Sequence, residues 1–120
     1  MSNEFKTVRC AKATYDFSVQ GGDIGAALGL GITIPSGAIV TEVIGSAVDA
    51  ITAGAGATIA INLGTTEVNA ATAYDHADYV AVDSHYSTAV KLTADSVVNI
   101  DIAVAALTAG KYDVYVTYLY

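Results

Sequence analysis

Alternation of apolar and polar side chains predicts β-strands along most of this chain. It is clearest in the closing segment, residues 111–120, whose apolar face consists of Tyr112, Val114, Val116, Tyr118 and Tyr120. The preceding segment alternates in the same way, and its apolar face consists of Val98, Ile100, Ile102 and Val104. Between them, Leu107-Thr108-Ala109-Gly110 predicts a turn, because Gly110 can take a positive φ at little steric cost. We therefore expect a C-terminal β-hairpin that needs a second layer to cover its apolar face.

The same pattern continues upstream. Residues 8–19 predict a first strand, with a buried face formed by Ala11, Ala13, Tyr15, Phe17 and Val19. Residues 28–34, 38–48 and 59–63 predict further strands, separated by turns at Pro35-Ser36-Gly37 and Ile51-Thr52-Ala53-Gly54. Segment 38–48 is apolar on both faces, so it lies at the centre of a sheet or between the sheet and a partner. With one more strand from Ala89, the count of about eight short antiparallel strands predicts an all-β, jelly-roll-like β-sandwich.

The least regular segment, residues 65–87, is expected to be a long loop. Within it, residues 68–73 fit one helical turn and residues 79–82 a short strand. The segment holds a polar cluster of Asp75, His76, Asp78, Asp83 and His85. Carboxylate and imidazole groups at this density suit a divalent cation, but their order lacks the ligand spacing of an EF-hand, and no HExxH pair is present. A solvated acidic loop is therefore the preferred interpretation, and neither a metal nor another cofactor is expected.

Length and composition favour one domain that meets a partner. The chain has 120 residues, enough for one hydrophobic core, and we divide it into a flexible arm, residues 1–7, and a single domain, residues 8–120. Apolar residues make up 53% of it and charged residues 14%, against roughly 25% charged in an average soluble protein. A surface so poor in charge is suited to contact with other proteins, which predicts an oligomer or a component of an assembly.

The net charge of −7 is unevenly distributed. Three of the five basic residues, Lys6, Arg9 and Lys12, lie within the first twelve positions, whereas residues 13–120 carry eleven acidic side chains against two lysines. An acidic body argues against a nucleic-acid partner, since phosphate binding needs clustered lysine and arginine. The basic residues at the start of the chain fit either a solvent-exposed N-terminal segment or an arm that lies on an acidic partner surface.

Candidate catalytic chemistry is sparse, and no enzymatic activity is expected. Cys10 is the only cysteine, which excludes an intrachain disulfide, and we expect it to pack as a small apolar residue of the first strand. Neither His76 nor His85 has the context of a catalytic triad, and no GxSxG motif is present. Four tyrosines in the last nine residues suit either stacking on sugars or, preferably, packing in the core and at a protein interface.

Neither a signal peptide nor a membrane partner is expected. The first ten residues contain no apolar leader. The charge-free stretches 24–41 and 50–66 are interrupted by proline or glycine and alternate as strands do. A membrane-spanning helix needs about 20 mostly apolar residues, so buried strands are the better interpretation.

Four stretches resemble small β-sandwich virion proteins of tailed bacteriophages, which are encoded among the head genes. They are ATYDF at 13–17 with Gly21-Gly22 following, IPSGAIV at 34–40, VKLTAD at 90–95 and AALTAGKYDVY at 105–115. Together they are spread over most of the chain. Each is a turn or a strand edge, and the resemblance therefore bears on fold more than on role.

The resemblance implies a capsid decoration, or cement, protein. Such a protein has no active site, is often a homotrimer, and binds the major capsid protein on the exterior of the head, where it bridges capsomers. The expected location is the virion, after synthesis in the host cytoplasm. Together with the charge asymmetry, this role makes Lys6, Arg9 and Lys12 the candidate capsid-binding residues. The alternative is a receptor- or glycan-binding module of a phage tail that uses residues 65–87 and exposed tyrosines.

Overall fold

The computed structural model describes residues 6–73 and 90–120. These ranges contain eight strands and one short helix: β1 Val8–Asp16, α1 Phe17–Gln20, β2 Gly25–Ile34, β3 Ile39–Ala53, β4 Thr58–Leu63, β5 Thr66–Ala73, β6 Val90–Lys91, β7 Ser96–Ala103 and β8 Leu107–Leu119. In the described ranges, no helix has the length and apolar character needed to cross a membrane.

The strands form two four-stranded antiparallel sheets. Sheet A has the strand order β1-β8-β3-β6, and sheet B has the order β2-β7-β4-β5. The two inner faces share one apolar core that includes side chains from both sheets. Such face-to-face packing of two antiparallel sheets is a β-sandwich. The predicted all-β sandwich of about eight strands is confirmed.

Most of the core consists of the inward positions that the alternation predicted. In β3, a bulge between Val40 and Glu42 turns both Val40 and Val43 inward, although strict alternation places them on opposite faces. Sheet A contributes Ala13, Tyr15, Val40, Val43, Tyr112, Val114 and Val116. Sheet B contributes Leu30, Ile34, Ile59, Ile61, Leu63, Val98, Ile100 and Ile102. Burying an aliphatic or aromatic side chain of this size stabilises the folded state by roughly 1.5–3 kcal/mol relative to exposure. This core is the main force that holds the two sheets together.

Strand β8 is the organising strand of sheet A. It pairs with β1 from Asp16↔Lys111 to Val8↔Leu119, and with β3 from Ala53↔Leu107 to Ile39↔Leu119. Its inner residues follow the predicted alternation as far as Tyr118, which packs against the core, whereas Tyr120 is exposed. Because β8 has a strand on both sides, its outer side chains lie in the middle of the opposite face of the sheet.

The predicted C-terminal hairpin is wrong. Strand β7 belongs to sheet B and β8 to sheet A, so the chain crosses between the sheets at residues 104–106. Val104, predicted to be buried, is 70% exposed and has a φ of 71° at this crossing. Gly110, predicted to form the turn, lies inside β8 at a φ of 125°, and a β-carbon there would come within 2.7 Å of the Ile51 α-carbon of β3. Gly110 therefore permits the close approach of β8 and β3 and does not form a turn that reverses the chain direction.

The first strand ends at Asp16, three residues before its predicted end. The Asp16 carboxylate accepts hydrogen bonds from the Ser18 hydroxyl at 2.6 Å and from the Ser18 N–H at 2.9 Å, which caps helix α1. The bond from the hydroxyl, followed by that from the N–H, holds the pKa of Asp16 below its ordinary value. Phe17 still packs against the core, but Val19 is exposed, contrary to prediction.

Two further elements differ from the predictions. Strand β3 continues through Ile51-Thr52-Ala53, where a turn was predicted, because it remains paired with β8 as far as Ala53↔Leu107. Strand β5 occupies part of the predicted loop and replaces the predicted helical turn at 68–73, since it pairs with β4 along the edge of sheet B. The predicted short strand at 79–82 lies outside the described residues.

The beginning of β1 differs from expectation at Cys10. This residue is exposed, because even-numbered residues of β1 face away from the core, and the expectation that it packs as an apolar residue is wrong. Thr7 and Tyr120 exchange two backbone hydrogen bonds of 3.1 Å, which extends the β1–β8 pairing by one residue pair. Residues 1–5 lie outside the described residues, and the division into an arm and a domain stays a prediction.

Candidate functional site

The three basic residues singled out from the sequence do not form one patch. All three are exposed. Lys12 points to the outer face of sheet A, where its Nζ lies 3.8 Å from Oδ2 of Asp113. Arg9 has the opposite parity in β1, and its guanidinium lies 6.0 Å from the centre of the Tyr120 ring. Lys6 precedes the strand. The basic groups are therefore spread around one end and one edge of sheet A.

The outer face of sheet A brings apolar side chains of neighbouring strands together. Two cross-strand pairs form its centre, Ile44↔Tyr115 and Ile39↔Leu119, both between β3 and β8. All four side chains are half-buried, and none of them packs against the core. The face as a whole consists of Val8, Cys10, Lys12, Thr14 and Asp16 of β1, Lys111, Asp113, Tyr115, Thr117 and Leu119 of β8, Ile39, Glu42, Ile44, Ser46 and Asp49 of β3, and Lys91 of β6.

The charges on this face nearly cancel. Lys12, Lys91 and Lys111 lie opposite four acidic residues, Asp16, Glu42, Asp49 and Asp113, a net charge of 3 − 4 = −1, while the whole chain has a net charge of −7. A nearly neutral surface with an apolar centre and charged residues around it has the composition of protein interfaces, in which charge is depleted at the core. The apolar character of both faces of segment 38–48 was the sequence signal for this surface, and the register with β8 supplies the remaining residues.

Asp113 of β8 links this face to the neighbouring strand β1. It is 5% exposed although it points away from the core, and its Oδ1 accepts a 2.7 Å hydrogen bond from the Thr14 hydroxyl. Lys12 is more than half exposed, so its ion pair with Asp113 contributes at most about 1 kcal/mol. The hydrogen bond from Thr14 is thus the stronger constraint, and it holds β1 and β8 in register on the outer side.

The tyrosines divide between the core and the surface. Tyr15 and Tyr112 are fully buried, which agrees with the preferred core interpretation. The Tyr15 hydroxyl donates a 2.6 Å hydrogen bond to the Gly21 carbonyl, and burial, followed by the adjacent Asp16 charge, raises the pKa of Tyr15. Tyr115 lies on the outer face of sheet A, and Tyr120 is exposed at the end of β8. The described tyrosines thus lie in different surroundings and do not form one platform.

The predicted polar cluster of Asp75, His76, Asp78, Asp83 and His85 lies outside the described residues. Among residues 6–73 and 90–120, no group of three or more histidine, cysteine, aspartate or glutamate side chains is placed to hold a metal ion. The candidate site in the described part of the chain is therefore the outer face of sheet A, a surface suited to contact.

Comparison with known proteins connects this fold to solved structures. No protein-family model matches the chain, and no curated protein matches it. A chain in the structure of the cyanophage Pam1 capsid asymmetric unit matches with a TM-score of 0.67 and 24% identity, covering 99% of this chain and 89% of that one. A chain in the acid-stable capsid structure of the Helicobacter pylori bacteriophage KHP30 matches with a TM-score of 0.60 and 19% identity, covering 94% and 87%.

Both matched chains come from phage capsid structures. At 19% and 24% identity the likeness establishes a shared fold. It extends over nearly the whole of both chains, so the sandwich described above is similar to them as a complete unit.

Proposed function

We propose that this protein is a structural component of a phage virion that binds the outer surface of the head and bridges capsomers. The observation that supports this most strongly is the similarity of fold, over nearly the full chain length, to chains in two phage capsid structures. A contact role also agrees with the nearly neutral, apolar-centred outer face of sheet A. The proposed partner is the major capsid protein, and a homotrimer is the proposed oligomeric state.

The proposed contact surface combines the outer face of sheet A with the basic residues at the start of the chain. Its centre is the group of Ile39, Ile44, Tyr115 and Leu119. Lys12 lies on the same face, next to Tyr115 in register, and Lys6 and Arg9 lie at its end, near the Val8↔Leu119 pair. In such a surface the apolar centre supplies most of the binding free energy, and the basic residues at the rim mainly accelerate association and make it sensitive to salt.

The apolar centre is tested by Ile44→Asp. We expect this variant to bind capsids that lack the protein at least tenfold more weakly than the wild type, because the change removes buried apolar area and places a charge within the contact. Val97→Asp is the matched control: Val97 is also an aliphatic strand residue on an outer face, but it lies on sheet B and is 42% exposed. Co-sedimentation with capsids measures both. An equal loss of capsid binding in the two variants, or no loss in Ile44→Asp, would show that this face is not the contact surface.

The basic rim is tested by deleting residues 1–7 in a chain that also carries Arg9→Ala and Lys12→Ala. We expect binding that is several-fold weaker at low salt, with the difference shrinking toward high salt as the charges are screened. Lys111→Ala removes a basic residue at the far end of the same face, where it pairs in register with Asp16 and Asp49, and it should bind as the wild type does. If the deletion variant binds as tightly as the wild type at every salt concentration, the N-terminal arm does not contribute to capsid binding.

A further inference from the structure

One end of the sandwich is almost free of charge among the described residues. Three segments meet there: residues 17–25 after β1, residues 50–58 from the end of β3 to the start of β4, and residues 103–110 from the end of β7 into β8. We call this end the tip. Although charged residues make up 14% of the chain, these three segments contain one charged side chain, that of Asp23.

Backbone hydrogen bonds hold the three segments of the tip together. The Leu107 N–H donates a 2.8 Å hydrogen bond to the Gly22 carbonyl, and the Gly54 N–H donates a 3.1 Å hydrogen bond to the Ala106 carbonyl. Segment 103–110 is thus bonded to both of the other segments. The tip is therefore one surface and not three separate loops.

Large aliphatic side chains project from the tip into solvent. Val19, Ile24 and Val104 are 77%, 58% and 70% exposed. Gly25, which follows Ile24, pairs with Ile102, which lies two residues before Val104, so Ile24 and Val104 stand at the same end of neighbouring strands. Exposed apolar side chains that lie together mark surfaces that bind other proteins.

The backbone at Val104 gives a second, independent observation. The Ala105 N–H donates a 2.9 Å hydrogen bond to the Ala103 carbonyl, which makes Val104 the central residue of a γ-turn. Its φ of 71° belongs to the rare and strained form of this turn, which a β-branched residue adopts less readily than glycine, asparagine or aspartate. Valine is thus unfavourable here both for the turn and for the surrounding solvent. A partner that covers its side chain accounts for the choice of residue.

The charge of the molecule favours a second copy of the chain as that partner. Each chain has a net charge of −7, so copies repel each other unless they meet where few charges are exposed. The tip is such a place, since Asp23 is its one charged residue among those described. Asp16, Asp49 and Lys111 lie in register at its border with sheet A. An apolar centre with a polar rim is the usual composition of a protein interface.

We propose that copies of this chain associate with one another through the tip. This inference rests on the proposed function for the number of copies, a homotrimer, and identifies the surface that forms it. Around a threefold axis, the tips bring the exposed aliphatic side chains of the three copies together at the centre. The outer face of sheet A and the basic residues near the Val8↔Leu119 pair, at the opposite end of the sandwich, stay free to contact the capsid.

Sedimentation equilibrium of the purified full-length chain, without capsids, tests this proposal. We expect the mass of a trimer, and association that strengthens with salt, because screening reduces the repulsion between the acidic copies. Val104→Asp places a charge in each tip and should weaken association at least tenfold. Aspartate adopts a positive φ more readily than valine does, so this variant should keep its fold. Ile24→Asp, between α1 and β2, should weaken association in the same way.

Val97→Asp is the matched control for these variants. Val97 is also an exposed valine, but it lies near the other end of sheet B, where its carbonyl accepts a 2.9 Å hydrogen bond from the Gly64 N–H. This variant should remain a trimer. Circular dichroism of each variant reports its β-sheet content, which separates a loss of association from a failure to fold.

The proposal is overturned if the wild type stays monomeric up to about 0.1 mM, if folded Val104→Asp and Ile24→Asp remain trimeric, or if Val97→Asp loses association equally. A monomeric wild type whose co-sedimentation with capsids is lost on Val104→Asp would show that the tip contacts the capsid protein instead. A dimer that Val104→Asp dissociates would support the tip as the contact and contradict the trimer. Because these masses are measured without capsids, their outcome and that of the capsid-binding test with Ile44→Asp can fail separately.

Discussion

Gly45→Ala is expected to destabilise the protein by about 3 kcal/mol, one of the two largest effects we predict for a single substitution. Gly45 lies on the inner face of β3, and a β-carbon there would overlap the phenolic oxygen of Tyr112. The Tyr112 ring is fully buried between the sheets, so it has little room to move. Urea denaturation followed by circular dichroism measures the loss as a lower midpoint with an unchanged slope.

A double-mutant cycle separates this overlap from the general effect of adding a methyl group. Tyr112→Phe removes the overlapping oxygen, although the ring carbon that carried it would still lie 2.5 Å from the new β-carbon. The cost of Gly45→Ala should therefore fall by at least about 1 kcal/mol in the Tyr112→Phe background. Gly25→Ala is the control, since nothing lies within 4 Å of a β-carbon there. If Gly45→Ala lowers the free energy of unfolding no more than Gly25→Ala does, the close packing of β3 on Tyr112 is wrong.

Gly22→Ala is the second large effect, again about 3 kcal/mol. Gly22 is buried, and its carbonyl accepts a 2.8 Å hydrogen bond from the N–H of Leu107 at the start of β8. A β-carbon at Gly22 would overlap the Leu107 carbonyl oxygen, which is backbone and cannot rotate away as a side chain can. We expect a lower Tm in differential scanning calorimetry.

The control for this position is Gly29→Ala. A β-carbon at Gly29 would meet its nearest atom, a methyl group of Val97, at 3.6 Å, which is ordinary van der Waals contact. Its Tm should lie within a few degrees of the wild type. A Tm of Gly22→Ala that matches that of Gly29→Ala would mean that the contact between the loop after α1 and the start of β8 does not constrain the fold.

The alternation of side chains predicted which residues are buried but not which sheet buries them. Ile100 and Val114 both face the core, and nothing in their local sequence distinguishes sheet B from sheet A. A hairpin was therefore the simplest interpretation of two consecutive strands separated by Leu-Thr-Ala-Gly. The chain instead crosses between the sheets at residues 104–106. Which sheet a strand joins depends on tertiary packing, and alternation carries no information about it.

Strand β5 and helix α1, which the sequence did not predict, have weak sequence patterns for physical reasons. Strand β5 lies at the edge of sheet B and buries Val68, so its sequence carries little apolar periodicity. Helix α1 is one turn long, and its signal is the cap formed by Asp16 and Ser18, which interrupts an alternation that otherwise continues to Val19. In both places local hydrogen bonding, rather than burial, determines the structure.

The candidate surfaces were only partly predictable. Parity along β1 alone indicates that Arg9 and Lys12 face opposite sides of a strand, although their proximity in sequence suggested one patch. The apolar centre of the outer face of sheet A depends on the β3–β8 register, which includes several bulges. The outer face of sheet B depends on the alignment of Asn62 with Asn99, which is 37 residues further along the chain.

The most direct test of the proposed function is to mix the purified protein with phage capsids assembled without it and to image the product by cryo-electron microscopy. The proposal predicts additional density, of the size of this sandwich or of a trimer of it, at regular sites over the outer surface of the head. That density should contact capsomers through the outer face of sheet A. Shells that remain bare, or density confined to the tail, would contradict a decoration role and favour a tail adsorption module.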